Sequence, residues 1–334
     1  MIFFRRGAGA YPAMEEENME RYIFGVDLGG TTAKLGLFTG QGELREKWEI
    51  PTHAQGGGAH ILTDLRDAMD ACLTRRGLDR SQVLGVGLGV PGAVLEHRYV
   101  KPCVNLDGWG DFDAAQRLSE LCAFPVCVVN DANAAALGEL WQGGGMGCRN
   151  MVFVTLGTGV GGGVIVDGRL LSGVHGCGGE LGHMKLFSDE TRPCGCGKRG
   201  CLEQYASATG IVREAERRLA GWSGETALRG AGPLTAKLVL DCAKAGDPLA
   251  GEVAAFFGDC LGRALAAVSC VCDPEVFVLG GGVSRAGEYI LKLVQPAFVR
   301  WAFPPAEETR FCLAVLGNDA GIYGAAKLIA DTLH

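Results

Sequence analysis

From Arg21 onward, short apolar runs alternate with longer amphipathic stretches, the pattern of a chain that interleaves strands and helices. Tyr22–Val26, Ala33–Phe38 and Leu44–Ile50 read as a meander of strands, punctuated by the turn signals Gly29-Gly30 and Gly40-Gln41-Gly42. Ala59 to Arg76 places Ile61, Leu62, Leu65, Met69, Cys72 and Leu73 on one helical face, with Gly77 as its stop. Val83–Val90 and Val126–Asn130 are apolar runs of the kind found in strands covered on both faces, and the carboxyl ends of such strands are where ligands bind. A second strand–turn–strand unit, Met151–Leu156, Gly157-Thr158-Gly159 and Gly162–Val166, resembles the first and suggests duplicated halves with a ligand between them. Further on, Asp247-Pro248 is an N-cap and first helical residue for a helix to about Val271. A strand at Glu275–Leu279 then runs into Gly280-Gly281-Gly282, followed by a helix Arg285–Val299, a strand Phe311–Val315 and a closing helix Ala320–Ala330. Residues 1–20 carry neither period and are expected to be a flexible leader, with Met14 or Met19 as alternative starts.

At 334 residues the chain exceeds the roughly 250–300 at which one core stops growing, so two domains are expected. Lys and Arg number 31 against 38 Asp and Glu, a formal charge of −7 with no basic block, which argues against nucleic acid as a partner. Membrane insertion is not expected either: the uncharged run Met151–Val166 falls short of the ~18–20 residues of a span, and Arg5, Arg6 and Glu15–Glu17 break any secretory signal. A cytoplasmic location follows as the expectation, in which the 14 cysteines are thiols or metal ligands before they are disulfides. Glycine, at 53 residues, is about twice its usual share of ~7% and points to tight turns and close backbone approaches.

Asp27-Leu28-Gly29-Gly30-Thr31-Thr32 follows a buried strand. Its glycines let backbone N–H groups approach phosphate oxygens, its threonines add hydroxyls, and Asp27 is suited to a hydrated Mg²⁺; a plain Gly-Gly hairpin is the alternative. Thr155-Leu156-Gly157-Thr158-Gly159 offers a second set of donors, and Gly280-Gly281-Gly282 a flat surface for a purine. Two G-x-G-x-x-G matches, at Gly87 and Gly157, fail as dinucleotide fingerprints because neither opens a helix. Asn130-Asp131 closes one strand and opens a helix, which suits Asp131 as a general base and equally suits either residue as an N-cap. Glu180, His183 and Glu203 are suitable partners for sugar hydroxyls, which both donate and accept. The most specific local signal is His183, Cys194, Cys196 and Cys201, whose H-x10-C-x-C-x4-C spacing in a glycine-rich loop fits a closed structural zinc site.

Taken together, Asp27–Thr32, Gly89-Val90-Pro91-Gly92, Asn130-Asp131, Leu156–Gly163, Glu180-x-Gly-His183, the loop from Cys194 to Glu203 and Leu279–Gly282 resemble the ROK family of bacterial sugar kinases and sugar-responsive repressors, in family order from about residue 21 to 334. The resemblance implies an α/β, two-domain actin/hexokinase-like (ribonuclease H-like) ATPase fold with the ligand cleft between domains. The expected division is a small α/β domain of residues 21–135 plus 318–334, and a large α+β domain of residues 136–317 carrying the zinc loop. It further implies that Asp131 is the catalytic base and that Gly92, Asn130, Asp131, Glu180, His183 and Glu203 bind hexose, with Asn105 nearby. ATP is assigned to Asp27, Gly29, Gly30, Thr31, Thr32, Thr155, Gly157, Thr158, Gly159, Gly280, Gly281 and Gly282, with Mg²⁺, and structural Zn²⁺ to His183 and the three cysteines. The expected activity is ATP-dependent phosphorylation of a hexose, glucose before fructose, mannose, allose, N-acetylmannosamine or N-acetylglucosamine, by a homodimer or higher homo-oligomer. A repressor of the same family needs a helix-turn-helix before the first phosphate turn, and about 20 residues precede Tyr22. A zinc-ribbon interaction module leaves both phosphate turns unexplained.

Overall fold

The computed structural model describes residues 20–103, Leu106 and residues 108–332. Two five-stranded sheets organise them. The first takes β1 (Tyr22–Leu28), β2 (Thr32–Thr39), β3 (Leu44–Pro51), β4 (Val83–Val90) and β8 (Val126–Asn130), in the order β3-β2-β1-β4-β8. A small sheet of β5 (Val94–Leu95), β6 (Tyr99–Val100) and β7 (Phe112–Asp113) projects from it. One glycine-rich turn, α1 (Gln55–Gly58), and the helices α2 (Ile61–Arg76) and α3 (Ala114–Cys122) accompany this sheet, whose core gathers Phe24, Val26, Leu35, Leu65, Met69 and Leu88.

After α4 (Asp131–Gln142) comes the second sheet, β9 (Met151–Leu156), β10 (Val160–Val166), β11 (Arg169–Leu170), β12 (Val276–Gly280) and β13 (Arg310–Leu313), ordered β11-β10-β9-β12-β13. Strand for strand the two sheets match: β1–β2 and β9–β10 are antiparallel hairpins, while β1, β4 and β8, like β9, β12 and β13, run parallel. The duplication suggested by the two glycine turns is thus a duplication of topology. Around the second sheet lie α5 (Glu203–Ala206), α6 (Ala208–Leu219), α7 (Ala236–Lys244), α8 (Pro248–Cys272), α9 (Gly281–Ser284) and α10 (Glu288–Trp301). α8 is long and apolar enough to cross a bilayer, but Leu249, Val253, Phe257, Leu261 and Leu265 are buried in this second core, which accounts for its composition.

A third core joins the halves. α11 (Ala320–Thr332) returns to lie against α4, β1 and β4, and Ile23, Phe38, Val129, Leu137, Met151, Phe153, Val278, Ile322 and Ile329 pack around this junction. The glycine excess has one of its causes here. A Cβ on Gly324 would collide with the Ala134 carbonyl of α4, and one on Gly87 with the Ala325 carbonyl of α11, so backbones touch where side chains elsewhere keep elements apart.

The expected elements form, with shifted ends that have local causes. α2 starts at Ile61 instead of Ala59 because Gly56, Gly57 and Gly58 all hold positive φ. β10 starts at Val160, two residues early, because Val160 and Gly161 continue the ladder opposite Leu156 and Thr155. α10 starts at Glu288 because Gly287, at φ 73°, separates it from the short α9. β13 ends at Leu313 because the Val315 and Leu316 N–H groups turn to the Glu139 carboxylate. Of the expected leader, Glu20 is anchored: it accepts from the Tyr22 hydroxyl at 2.7 Å and pairs with Arg45 at 2.5 Å; residues 1–19 lie outside the described residues, with Met14 and Met19.

Candidate active site

The two hairpin turns face each other across a cavity of about 590 Å³. Its walls include Asp27, Gly29 and Gly30 from the first hairpin, Thr155, Gly157 and Gly159 from the second, Asp131 and Ala132 from the start of α4, and Glu203. The first turn is closed by Gly29 N–H donating to the Thr32 carbonyl at 3.0 Å, the second by Gly157 N–H donating to the Gly159 carbonyl at 3.0 Å. Neither G-x-G-x-x-G match opens a helix: the short strand β5 follows Gly92, and Gly157–Gly159 run into β10. Thr31, Thr32 and Thr158 do not line the cavity. Their carbonyls serve as local acceptors, Thr31 for Thr52 N–H, Thr32 for Gly29 N–H and Thr158 for the Thr209 hydroxyl.

At the mouth of α4 the structure separates the two roles that the sequence left open. Asn130 is the N-cap: its side-chain oxygen accepts from Ala132 and Asn133 N–H at 3.0 and 3.2 Å, and its Nδ2 donates to the Gly92 carbonyl at 3.2 Å. Asp131 is left as the first helical residue, open to the cleft and accepting from Ala132 N–H at 2.8 Å. The surrounding walls raise its pKa by desolvation, against the opposing hydrogen bonds. Asp27 is raised to about 6, first by burial and then by the Asp131 charge, with Lys34 opposing. Three carboxylates, Asp27, Asp131 and Glu203, thus share the cleft with one lysine, Lys34.

A second cavity of about 640 Å³ continues from the first, sharing Lys34, Ala135, Thr155, Gly317 and Asn318 with it. Gly280 and Gly281 line it together with Ser284 and Arg285, whereas Gly282 does not. Three of these wall residues, Lys34, Gly317 and Asn318, escaped the sequence reading. Lys34 Nζ donates to the Asn318 carbonyl at 2.9 Å, and Lys47 pairs with Asp319 at 2.5 Å. The one available signal was the Gly317-Asn318 turn dipeptide.

On the opposite side of the cleft, the ligand atoms of His183, Cys194, Cys196 and Cys201 lie within 4.8 Å of one another. Cys196 and Cys201 sulfurs are 3.7 Å apart, and Cys194 Sγ is 3.8 Å from His183 Nδ1. These are the edge lengths of a tetrahedron with metal bonds of about 2.0–2.3 Å, so the donor set fits zinc. A turn in which Cys194 N–H donates to the Lys198 carbonyl and Gly197, at φ 80°, donates to the Cys194 carbonyl brings the sulfurs round. His183 points its other nitrogen, Nε2, toward Glu180 Oε2 at 3.9 Å. Glu203 spans from this loop to the second hairpin, accepting from Cys194 Sγ at 3.0 Å and from Val160 N–H at 3.4 Å. Burial raises the pKa of Glu180 against the pull of His183, and the Asp131 and Glu203 charges add to the rise, so the three carboxylates form one electrostatic neighbourhood. Asn105 lies outside the described residues.

A model of the ROK family matches residues 23–332. The chain belongs to the ROK family. A glucokinase from Halalkalibacterium halodurans is 44% identical over 315 residues, which cover 93% of this chain and 95% of that protein. Among solved structures, the ROK hexokinase from Thermus thermophilus superimposes with a TM-score of 0.78 at 34% identity, covering 92% of this chain and 97% of the other. A ROK family glucokinase from Streptomyces griseus in complex with glucose and AMPPNP gives 0.70 at 33% identity, covering 92% and 98%. The paired sheets and central helices are accordingly the two-domain sugar-kinase fold of ROK hexokinases, the actin/hexokinase-like arrangement that the motifs implied.

Proposed function

We propose that this ROK protein is an ATP-dependent hexose kinase acting on glucose to give glucose 6-phosphate, with Asp131 as general base. The observation that carries the reading is that Asp131 and Asp27 line one cavity together with the two glycine turns, Lys34 and Glu203. Phosphoryl transfer asks little covalent chemistry of a protein and much positioning and charge compensation. Asp131, freed from capping by Asn130, takes the proton of the sugar 6-hydroxyl as its oxygen attacks the γ-phosphorus, and ADP leaves toward the second cavity. Gly92, Asn130, Glu180, His183 and Glu203 hold the remaining hydroxyls. Gly29 and Gly157 close the two turns with their own N–H groups, which leaves the Gly30 and Gly159 N–H groups to meet the phosphates, and Gly280 and Gly281 meet the purine. Asp27, a desolvated carboxylate facing a second one, suits Mg²⁺, which when bound compensates phosphate charge. Zinc on His183, Cys194, Cys196 and Cys201 is structural, with no open position, and fixes the imidazole whose Nε2 faces Glu180.

In the same reading residues 21–135 with 318–334 form one domain and 136–317 the other, the protein works in the cytoplasm, and it assembles as a homodimer, the commonest closed oligomer. The test is ADP release coupled to a panel of glucose, fructose, mannose, allose, N-acetylmannosamine and N-acetylglucosamine with Mg²⁺ and ATP. Glucose-dependent release exceeding that with the other sugars is expected. Release highest with another member of the panel moves the substrate, and sugar binding without any release makes the protein a sensor and overturns the proposal.

A further inference from the structure

Glu139 lies two turns beyond Asp131 on α4 and is fully buried. Its carboxylate accepts from Gly144 N–H at 2.8 Å, from Val315 N–H at 3.0 Å and from Leu316 N–H at 2.9 Å. No Lys or Arg side chain among the described residues bonds to it, so backbone N–H groups are its hydrogen-bond partners in a site taken wholly out of water. An apolar side chain would fill this space at less desolvation cost. What the carboxylate adds is direction: it ends β13 at Leu313 and turns the chain into Gly317 and Asn318, two of the residues common to the two cleft cavities.

The segment is gripped from its far side as well. Lys34 from β2 holds the Asn318 carbonyl, and Lys47 from β3 holds Asp319. Residues 315–319 therefore form a wall fastened at one end to α4 and at the other to the first sheet. The helix that fastens it also carries Asp131, about 12 Å away along a rigid axis at 1.5 Å per residue. Any displacement of Glu139 shifts this wall relative to the base. The cavity this wall borders is lined as well by Gly280, Gly281 and Arg285, and neither Glu180 nor His183 lines it.

We infer that Glu139 is a positioning residue for the phosphoryl donor, setting the 315–319 wall of the nucleotide side of the cleft against Asp131; this rests on the proposed kinase reading. Misplacement by an ångström far from the chemistry is enough to change rates strongly. Glu139→Gln replaces one acceptor oxygen by an amide that itself donates, facing N–H groups with no acceptor. In Gly143→Ala the carboxylate stays but the new Cβ collides with it. Both variants are expected to raise the KM for ATP about tenfold and to weaken AMPPNP binding equally, while glucose affinity, read by calorimetry on the folded protein, stays within about twofold. A purely structural role lowers the melting temperature without this split.

Unchanged AMPPNP affinity in either folded variant, or parallel loss of glucose and AMPPNP affinity, would overturn the inference. If Glu139→Gln does not fold, Gly143→Ala decides alone by the same criterion. Wild-type protein separates the two levels: absence of hexose-dependent ADP release there defeats the kinase reading, whereas normal wild-type turnover with unaltered nucleotide affinity in the variants defeats only the role of Glu139.

Discussion

The cleft floor and the cysteine loop hold their functional groups by different physical means. Asp27 is the last residue but one of β1 and Asp131 opens α4, and their neighbours Val26, Leu28, Val129 and Ala134 are buried in the cores beneath. The positions of these carboxylates are set by packing that does not depend on the carboxylates themselves. His183 and the three cysteines instead occupy a short 3-10 turn, Leu181–His183, and a loop whose ladder contacts are two isolated bridges, Lys185–Cys201 and Pro193–Arg199. Beneath the loop, Phe187 meets Tyr205 at 4.7 Å and Phe256 at 6.2 Å, and Tyr205 hydroxyl donates to Glu190 at 2.9 Å. Burial organises the first region, and side-chain contacts around a donor set that fits a metal organise the second. Perturbations of the two regions should accordingly separate, one in turnover and the other in sugar affinity.

The largest separation is expected from Asp131→Asn. Shape and N-terminal hydrogen bonding survive, the proton acceptor is lost, and turnover should fall on the order of 10²–10⁴ while glucose affinity persists. Steady-state rates with parallel calorimetry check this, and near-normal turnover removes Asp131 as the base. Next in size, Cys196→Ser should lose zinc, seen by metal analysis, and weaken glucose binding on the order of 10–100-fold with little change for AMPPNP. Equal losses for sugar and nucleotide would merge the two regions that the comparison holds apart.

A smaller effect comes from pH. With Asp27 raised to about 6, the ionised form that suits Mg²⁺ grows about tenfold between pH 5 and 7, and turnover should rise with it. The stability contribution of this group has the opposite sign. Its folded pKa lies above the ordinary 3.8, so the folded state binds the extra proton; that contribution is complete below about pH 4 and is lost as pH rises through about 6. A pH–rate profile and melting curves of the ligand-free protein over pH 4–7 read the two trends, and a flat rate profile would place the metal-binding acid elsewhere. Smallest is Phe187→Leu, which removes edge-to-face contact worth about 1 kcal/mol and should lower the melting temperature by a few degrees with turnover maintained.

Much of this was legible in the chain because it is local. Apolar runs gave the strands, glycine pairs the turns, and the cysteine spacing the metal set, each within a few residues of sequence. The N-cap question at Asn130 and Asp131 was open because both residues favour capping; the Gly92 carbonyl, which fixes the Asn130 amide, decides it from 38 positions away. Glu139 and Lys34 were invisible for the same reason on a larger scale: their partners Val315 and Asn318 lie 176 and 284 positions away. The shifted start of α2 reflects Gly56–Gly58, whose positive φ values no hydrophobic period records.

Calorimetric titration of glucose and of AMPPNP into native, zinc-stripped and Asp131→Asn protein tests the division of labour most directly. Stripping zinc is expected to weaken glucose binding and spare AMPPNP, and Asp131→Asn is expected to bind both while turning over on the order of 10²–10⁴ more slowly. Zinc-stripped protein that binds glucose as tightly as native protein would contradict that division.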